Sequence, residues 1–408
     1  MNSVSEMTAG SLLTRIFIPF LTSFMPAVAM LKLLKWRNRR ACGEPDRMES
    51  PPEPRRATVY VSMITAGPLS MQLSAFPRTQ SPAAPARWQQ LWRQALRDPQ
   101  ALLARLDLDA AALGVSEAAI AQFALRVPEG FVARMRRGDA HDPLLRQVLP
   151  IDAEMRPAPG FSFDAVGDGA AKKATGVIQK YRGRALLVAT GSCAINCRYC
   201  FRRHFDYGAE NAAKGGWQEA VDAIAADPDI DEVILSGGDP LSLATHKLAE
   251  LTDALRGIAH IRRLRIHTRL PIVLPERVDD ELLAWLGSLP WPLAIVVHAN
   301  HANEFDASVD TAMARLRGIG AQLLNQAVLL RGVNDSVQAL QDLSERSFAA
   351  GVLPYYLHQL DRVEGVAHFE VDDVQAKALI AGLTARLSGY LVPKLVRELP
   401  GDPSKRPV

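Results

Sequence analysis

"ALLVATGSCAINCRYCFRRHF", Ala185 to Phe205, joins a continuous apolar run to a loop holding three of the four cysteines of a 408-residue chain. An apolar run without polar alternation is the pattern of a strand covered on both faces, as in a parallel sheet. The runs "EVILSG" from Glu232, "LRIHTR" from Leu264, "LAIVVH" from Leu293, "LLNQAVLL" from Leu323 and "VLPYYLH" from Val352 repeat it, with starts about 30 residues apart. Helix-like stretches lie between them: Trp217 to Ala226, His246 to Ile258, Val278 to Ser288 and Ala307 to Gly318. Alternating strands and amphipathic helices predict right-handed βα units, and six such units make an α/β fold, a partial (β/α)6 TIM-like barrel. Active sites in such folds gather at the carboxyl ends of the strands. Those ends are polar here, namely the cysteine loop, "SGGDP", "HTR", "HANHAN", "RGVND" and "HQLD". An enzyme is the expectation.

Upstream of the barrel, Leu and Trp recur at helical spacing from Trp88 to Arg136, divided at Pro99. This predicts an N-terminal helical cap over residues 81–150, with 151–180 as a linker into a barrel over 181–408. Residues 1–80 do not share the pattern. Ile16 to Leu34 is apolar and nearly long enough to cross a bilayer, but Pro19, Pro26 and Lys32 interrupt it and a basic, then Pro-rich stretch follows. The expectation is a disordered extension or a mis-assigned start, with a membrane anchor or targeting segment as the alternative.

A net charge of +3 is too mild to point to nucleic acid, and no basic block interleaved with aromatics is present. Neither a nucleic-acid nor a membrane partner is expected. Three clustered cysteines and a distant Cys42 do not make a secreted disulfide framework, so a reducing cytoplasm is the expected location.

The cysteines are spaced C-x-x-x-C-x-x-C, at Cys193, Cys197 and Cys200. A structural zinc site needs four ligands, and His204 could complete one. A redox pair would use Cys197 and Cys200 alone. Three thiolates on one loop can instead hold a 4Fe–4S cluster, leaving one iron for a small molecule to chelate. The position after a strand of a βα series favours the cluster.

Spacing, strand placement and the aromatic Tyr199 resemble the radical S-adenosylmethionine (SAM) enzymes. "SGGDP" resembles their glycine motif, which implies that Ser236, Gly237, Gly238 and Asp239 meet the methionine end of SAM. A narrower resemblance is to the lysine 2,3-aminomutase family, closest to the short enzymes that supply β-lysine to translation elongation factor P. It is carried by "CRYCFRRHF", "LSGGDPL", "RIHTRLPIVLPERV", "HANHANE", "LLNQAVLLRGVND", "PYYLHQLD" and "SGYLVPKLVRELPGDPSKRPV", and upstream by "FALRVPEGFVARM" and "DPLLRQVL". It spans about Ser81 to Val408.

The resemblance implies an isomerase that moves the α-amino group of L-lysine to the β-carbon by radical chemistry, with a 4Fe–4S cluster, SAM and pyridoxal 5′-phosphate (PLP). It assigns Cys193, Cys197 and Cys200 to the cluster and Lys405 to PLP as catalytic lysine. It places Lys180 and Arg184 on the PLP phosphate. Arg202 would hold the substrate carboxylate, and Asp335 and Glu398 its distal ammonium. Lys180 stands where the family has arginine and Glu398 where it has aspartate, which leaves the chain length of the preferred amino acid open. The longer aminomutases carry a C-terminal zinc-binding extension, whereas this chain stops three residues after Lys405, as expected of the translation-factor branch. Implied partners are an elongation factor P lysyl-ligase and an electron donor such as flavodoxin. A 2,3-aminomutase for arginine or glutamate is the alternative enzyme, with paired acids arguing against glutamate. A metal-bearing binding protein without turnover is the alternative of another class.

Overall fold

The computed structural model describes residues 85–408 apart from Asn211. The expected N-terminal extension, with Cys42, lies outside the described residues. One ten-stranded sheet runs in chain order. Its centre is β3 (Arg184–Thr190), β4 (Glu232–Gly237), β5 (Arg263–Thr268), β6 (Leu293–Val297), β7 (Gln322–Val328) and β8 (Leu353–His358). Each of these pairs in parallel with the next. These are the six expected βα units, a partial barrel. The parallel series runs one strand further, to β9 (Lys394–Arg397), which pairs with β8. Antiparallel additions flank it: β1 (Lys172–Ala174) and β2 (Val177–Ile178) before β3, and β10 (Arg406–Pro407) on β9. β1 and β10 end the strand order without pairing to each other, so the barrel stays open.

Strand alternation divides the two faces. In β5, Leu264 and Ile266 are buried on one face, while Arg265 and His267 alternate with them on the other, His267 lining the cleft at the strand's carboxyl end. The outer helices answer with apolar stripes: Thr245–Arg256 buries Leu248, Leu251 and Leu255, spaced three and four apart. Side chains at their starts accept from free backbone N–H groups, as Asp279 does from Leu282, Asp306 from Ser308 and Val309, and Ser336 from Ala339.

Short helices upstream, among them Arg87–Arg93, Pro99–Arg105 and Pro143–Arg146, form the cap. It grips the barrel where the cysteines lie. Trp92 Nε1 and Arg126 Nη1 both donate to the Cys193 carbonyl, at 3.2 and 3.0 Å. Asn196 N donates to Arg126 O, and Arg198 N to Gln147 O. The buried Trp88 takes the Arg277 guanidinium over its ring at 4.6 Å. Among the described residues no helix is long and apolar enough to cross a membrane.

Candidate active site

One cleft, open to solvent at its mouth, occupies the carboxyl ends of the strands. Cys193, Cys197 and Cys200 line it, opposite Ser236, Gly237, Gly238 and Asp239. The glycines are required by close packing of two loops. Gly237 sits at φ +116, and a Cβ there would stand 2.5 Å from the Thr190 carbonyl oxygen. A Cβ on Gly238 would strike the Ser192 carbonyl. Gly238 N and Asp239 N donate to Thr190 O and Ser192 O, both at 2.7 Å.

Asp239 ties the next strand end to this pair of loops. Its buried carboxylate accepts from Leu241 N, Thr268 Oγ1, Arg269 N and Leu270 N. Arg269 thereby reaches Cys197 Sγ and Tyr199 Oη, each at 2.7 Å, and also Gln147 Oε1 and Glu304 Oε2. A buried guanidinium beside a sulfur stabilises negative charge on any group bound there. Burial, then Asp239 and the other two thiols, pushes the Cys193 thiol well up, and burial with Cys197 takes Cys200 to about 11. A metal that replaces the protons removes that cost. Three thiols on one loop, backed by a buried cation, fit a three-thiolate cluster.

Across the cleft, five side chains alternate in charge. Arg202 Nε donates to Asp168 Oδ2 at 2.7 Å, and Lys180 Nζ lies 2.5 Å from Asp168 Oδ1. Lys180 also bonds Glu398 Oε1 at 2.8 Å, and Lys405 Nζ lies 2.5 Å from Glu398 Oε2. Burial opposes ionisation of Glu398, but Lys405 and Lys180 outweigh it and hold the carboxyl down at about 2. Asp168 is likewise held below the ordinary carboxylate range by Arg202 and Lys180 against its burial. Arg184 faces the Tyr181 ring at 4.7 Å and makes no ion pair among the described residues.

Polar atoms shielded from water and lacking a hydrogen-bond partner line the same cleft as Lys405: Tyr181 Oη, the Nε2 atoms of His267, His298 and His358, Gln326 Oε1 and Asp361 Oδ1. Burial, with neighbouring cations, pushes His267 and His358 well below the ordinary histidine value and His298 to about 4, so all three are neutral at pH 7. Burial, then Glu398, raises Asp361 to about 7. Unpartnered polar groups in a cleft that also holds a lysine amine fit a polar, phosphate-bearing ring.

The cleft thus brings together every expected site residue except Asp335. That residue does not line it, because its carboxylate closes a turn by accepting from Gly332 N at 2.9 Å. Asp361, three residues past the end of β8, lines the cleft instead. His204, the fourth ligand of the zinc reading, does not line the cleft either; its Nε2 meets Glu364 O and its ring packs edge-on against Phe163. Sequence reading missed Asp168, Arg269, Asp361 and the three histidines. For the histidines the signal was present, since each closes an apolar run at a strand end.

A family profile described as a 4Fe-4S single cluster domain matches residues 182–265. L-lysine 2,3-aminomutase of Escherichia coli (strain K12) is 50% identical over 312 residues, 76% of this chain and 91% of that one. The protein of the same name from Haemophilus influenzae is 46% identical over 78% of this chain and 94% of its own. A solved radical SAM methyltransferase from Sphaerobacter thermophilus overlays with a TM-score of 0.38 at 15% identity, over 54% of this chain and 68% of that one, a likeness too loose to argue from. With half of the 312 aligned residues identical along 91% of a relative, and its three thiols lining one cleft, the chain belongs to the L-lysine 2,3-aminomutase family, radical SAM isomerases with a 4Fe–4S cluster domain.

Proposed function

We propose that the protein converts L-lysine to β-lysine by a radical 2,3-amino shift and supplies the product for modification of elongation factor P. The observation that carries the reading is the charge layout of the cleft. A cation, Arg202, stands at one end, and two acids, Glu398 and Asp361, stand beside the lysine amine at the other. This is the complement of an amino acid with a carboxylate at one end and an ammonium at the other.

When bound, the cluster with SAM supplies a carbon-centred radical that takes a hydrogen atom, and PLP supplies the π system across which nitrogen migrates. The chain's own residues hold and orient. Cys193, Cys197 and Cys200 would ligate three irons, with Arg269 stabilising their charge. Arg184, with Lys180, would meet the phosphate. Lys405 would hold PLP through Nζ and yield it to the α-amine of the substrate. Once Lys405 is engaged, Glu398 keeps Lys180 on Oε1 but loses its partner on Oε2, and the distal ammonium of the substrate would take that place. The cleft walls, buried along β3 to β8, keep water from the reacting carbons.

The destination of the product rests on resemblance to the short translation-factor enzymes. The test is anaerobic: protein reconstituted with iron, sulfide and PLP is given SAM, a strong reductant and L-lysine. β-Lysine is the expected product, and its absence from a fully loaded sample would overturn the reading.

A further inference from the structure

Asp168 belongs to no motif, yet it is the hinge of the charged chain across the cleft. It is 3% exposed, lines the cleft, and lies 34 residues before Arg202 in sequence. Its Oδ2 takes the Nε hydrogen of Arg202. A guanidinium held by Nε presents its two terminal amino groups on the opposite edge, the edge that bonds a carboxylate in two places. Arg202 Nη1 also reaches Ser236 Oγ at 3.3 Å, and the rings of Phe201 and Phe205 lie 4.8 and 5.7 Å from its carbon.

The turn that carries Asp168 is itself braced. Asp164 accepts from Asp168 N at 2.9 Å and from Gly169 N at 3.0 Å. Gly167, at φ +69, lies against Pro400, where a Cβ would stand 3.0 Å from the proline Cβ. Pro400 is two residues after Glu398 and five before Lys405. The turn that aims Arg202 therefore rests on the segment that carries the lysine amine.

We propose that Asp168 is a positioning residue, which holds Arg202 from behind so that its free edge receives the carboxylate of the amino acid. The proposal rests on the reading of Arg202 as the carboxylate clamp. A carboxylate that only neutralised a buried arginine would affect all amines alike. One that aims the arginine affects only those bearing a carboxylate.

The test titrates PLP-loaded protein with L-lysine and with 1,5-diaminopentane, which lacks the carboxylate, following the absorbance of bound PLP. In Asp168→Asn the affinity for L-lysine falls about tenfold or more, and that for diaminopentane stays within about twofold. In an Arg202→Gln background the same substitution has no further effect on L-lysine, because the group it acts through is gone. Equal losses for both amines, or the full Asp168→Asn effect without Arg202, would overturn the proposal. Iron content and unfolding temperature of each variant separate misfolding from either result. If the wild-type protein binds the two amines equally well, the carboxylate clamp itself fails, and the proposal with it.

Discussion

Lys405 Nζ lies 2.5 Å from Glu398 Oε2, so the lysine proposed to hold PLP and an acid proposed for the substrate ammonium are paired with each other. The pairing keeps both charged groups satisfied in a cleft where an unpaired charge is costly. It also sets the sign of a pH effect. Glu398 has its folded value depressed from 4.5 to about 2, so its stabilisation is present above pH 4.5 and is lost as pH falls toward 2. Glu398→Gln should lower the stability of the ligand-free protein by about 2 kcal/mol at pH 7. The gap should hold down to about pH 5 and narrow below it, as followed by denaturant unfolding; a gap that widens on acidification would contradict the pairing.

Asp361 has the opposite sign. Its folded value is raised from 3.8 to about 7, so its contribution is fully present below pH 3.8 and is lost as pH rises through 7. Asp361→Asn should match the wild type near pH 4 and exceed it at pH 8, by about 2 kcal/mol after allowance for its partial exposure. The same substitution should weaken L-lysine binding, because the ammonium loses a charged partner. A variant that is less stable at pH 8 and binds L-lysine normally would remove Asp361 from the site.

Gly238→Ala tests the packing of the glycine turn on the cysteine loop. The added methyl meets the Ser192 carbonyl, which is backbone and cannot swing aside. Iron bound after reconstitution should fall well below that of the wild type, since the loop holding Cys193 must shift. Full iron content with unchanged stability would show that the two loops do not lean on each other.

Arg269→Gln removes a guanidinium bonded to Cys197 and leaves Glu304, which is 0% exposed, without its cation. The expected loss of stability is about 3 kcal/mol. The reduction potential of the bound cluster should also move to more negative values, because a nearby positive charge favours the reduced state. A redox titration that finds the same potential would limit Arg269 to a structural role.

The barrel was legible because its signal is local and repeated. Expected and observed strand starts differ by at most one residue, from Ala185 against Arg184 to Val352 against Leu353. β9 was missed because "KLVR" has four residues, too few for a period to register. The thiolate ligands were legible because one loop carries them all. The distal acid was not: "RGVND" and "HQLD" each end in a single aspartate after an apolar strand. Which carboxylate enters the cleft depends on whether a turn consumes it, as Gly332 N consumes Asp335. Asp168 left no trace in sequence, since its partners Lys180 and Arg202 are brought to it only by the fold.

The central claim is that nitrogen moves between adjacent carbons of one lysine molecule in this cleft. L-lysine labelled with ¹⁵N at the α-amine, incubated anaerobically with the fully loaded protein, SAM and a strong reductant, tests it by NMR. The account predicts β-lysine with the label on C3 and none formed by Lys405→Ala at normal iron content. β-Lysine without the label, or no β-lysine from the loaded wild-type protein, would contradict it.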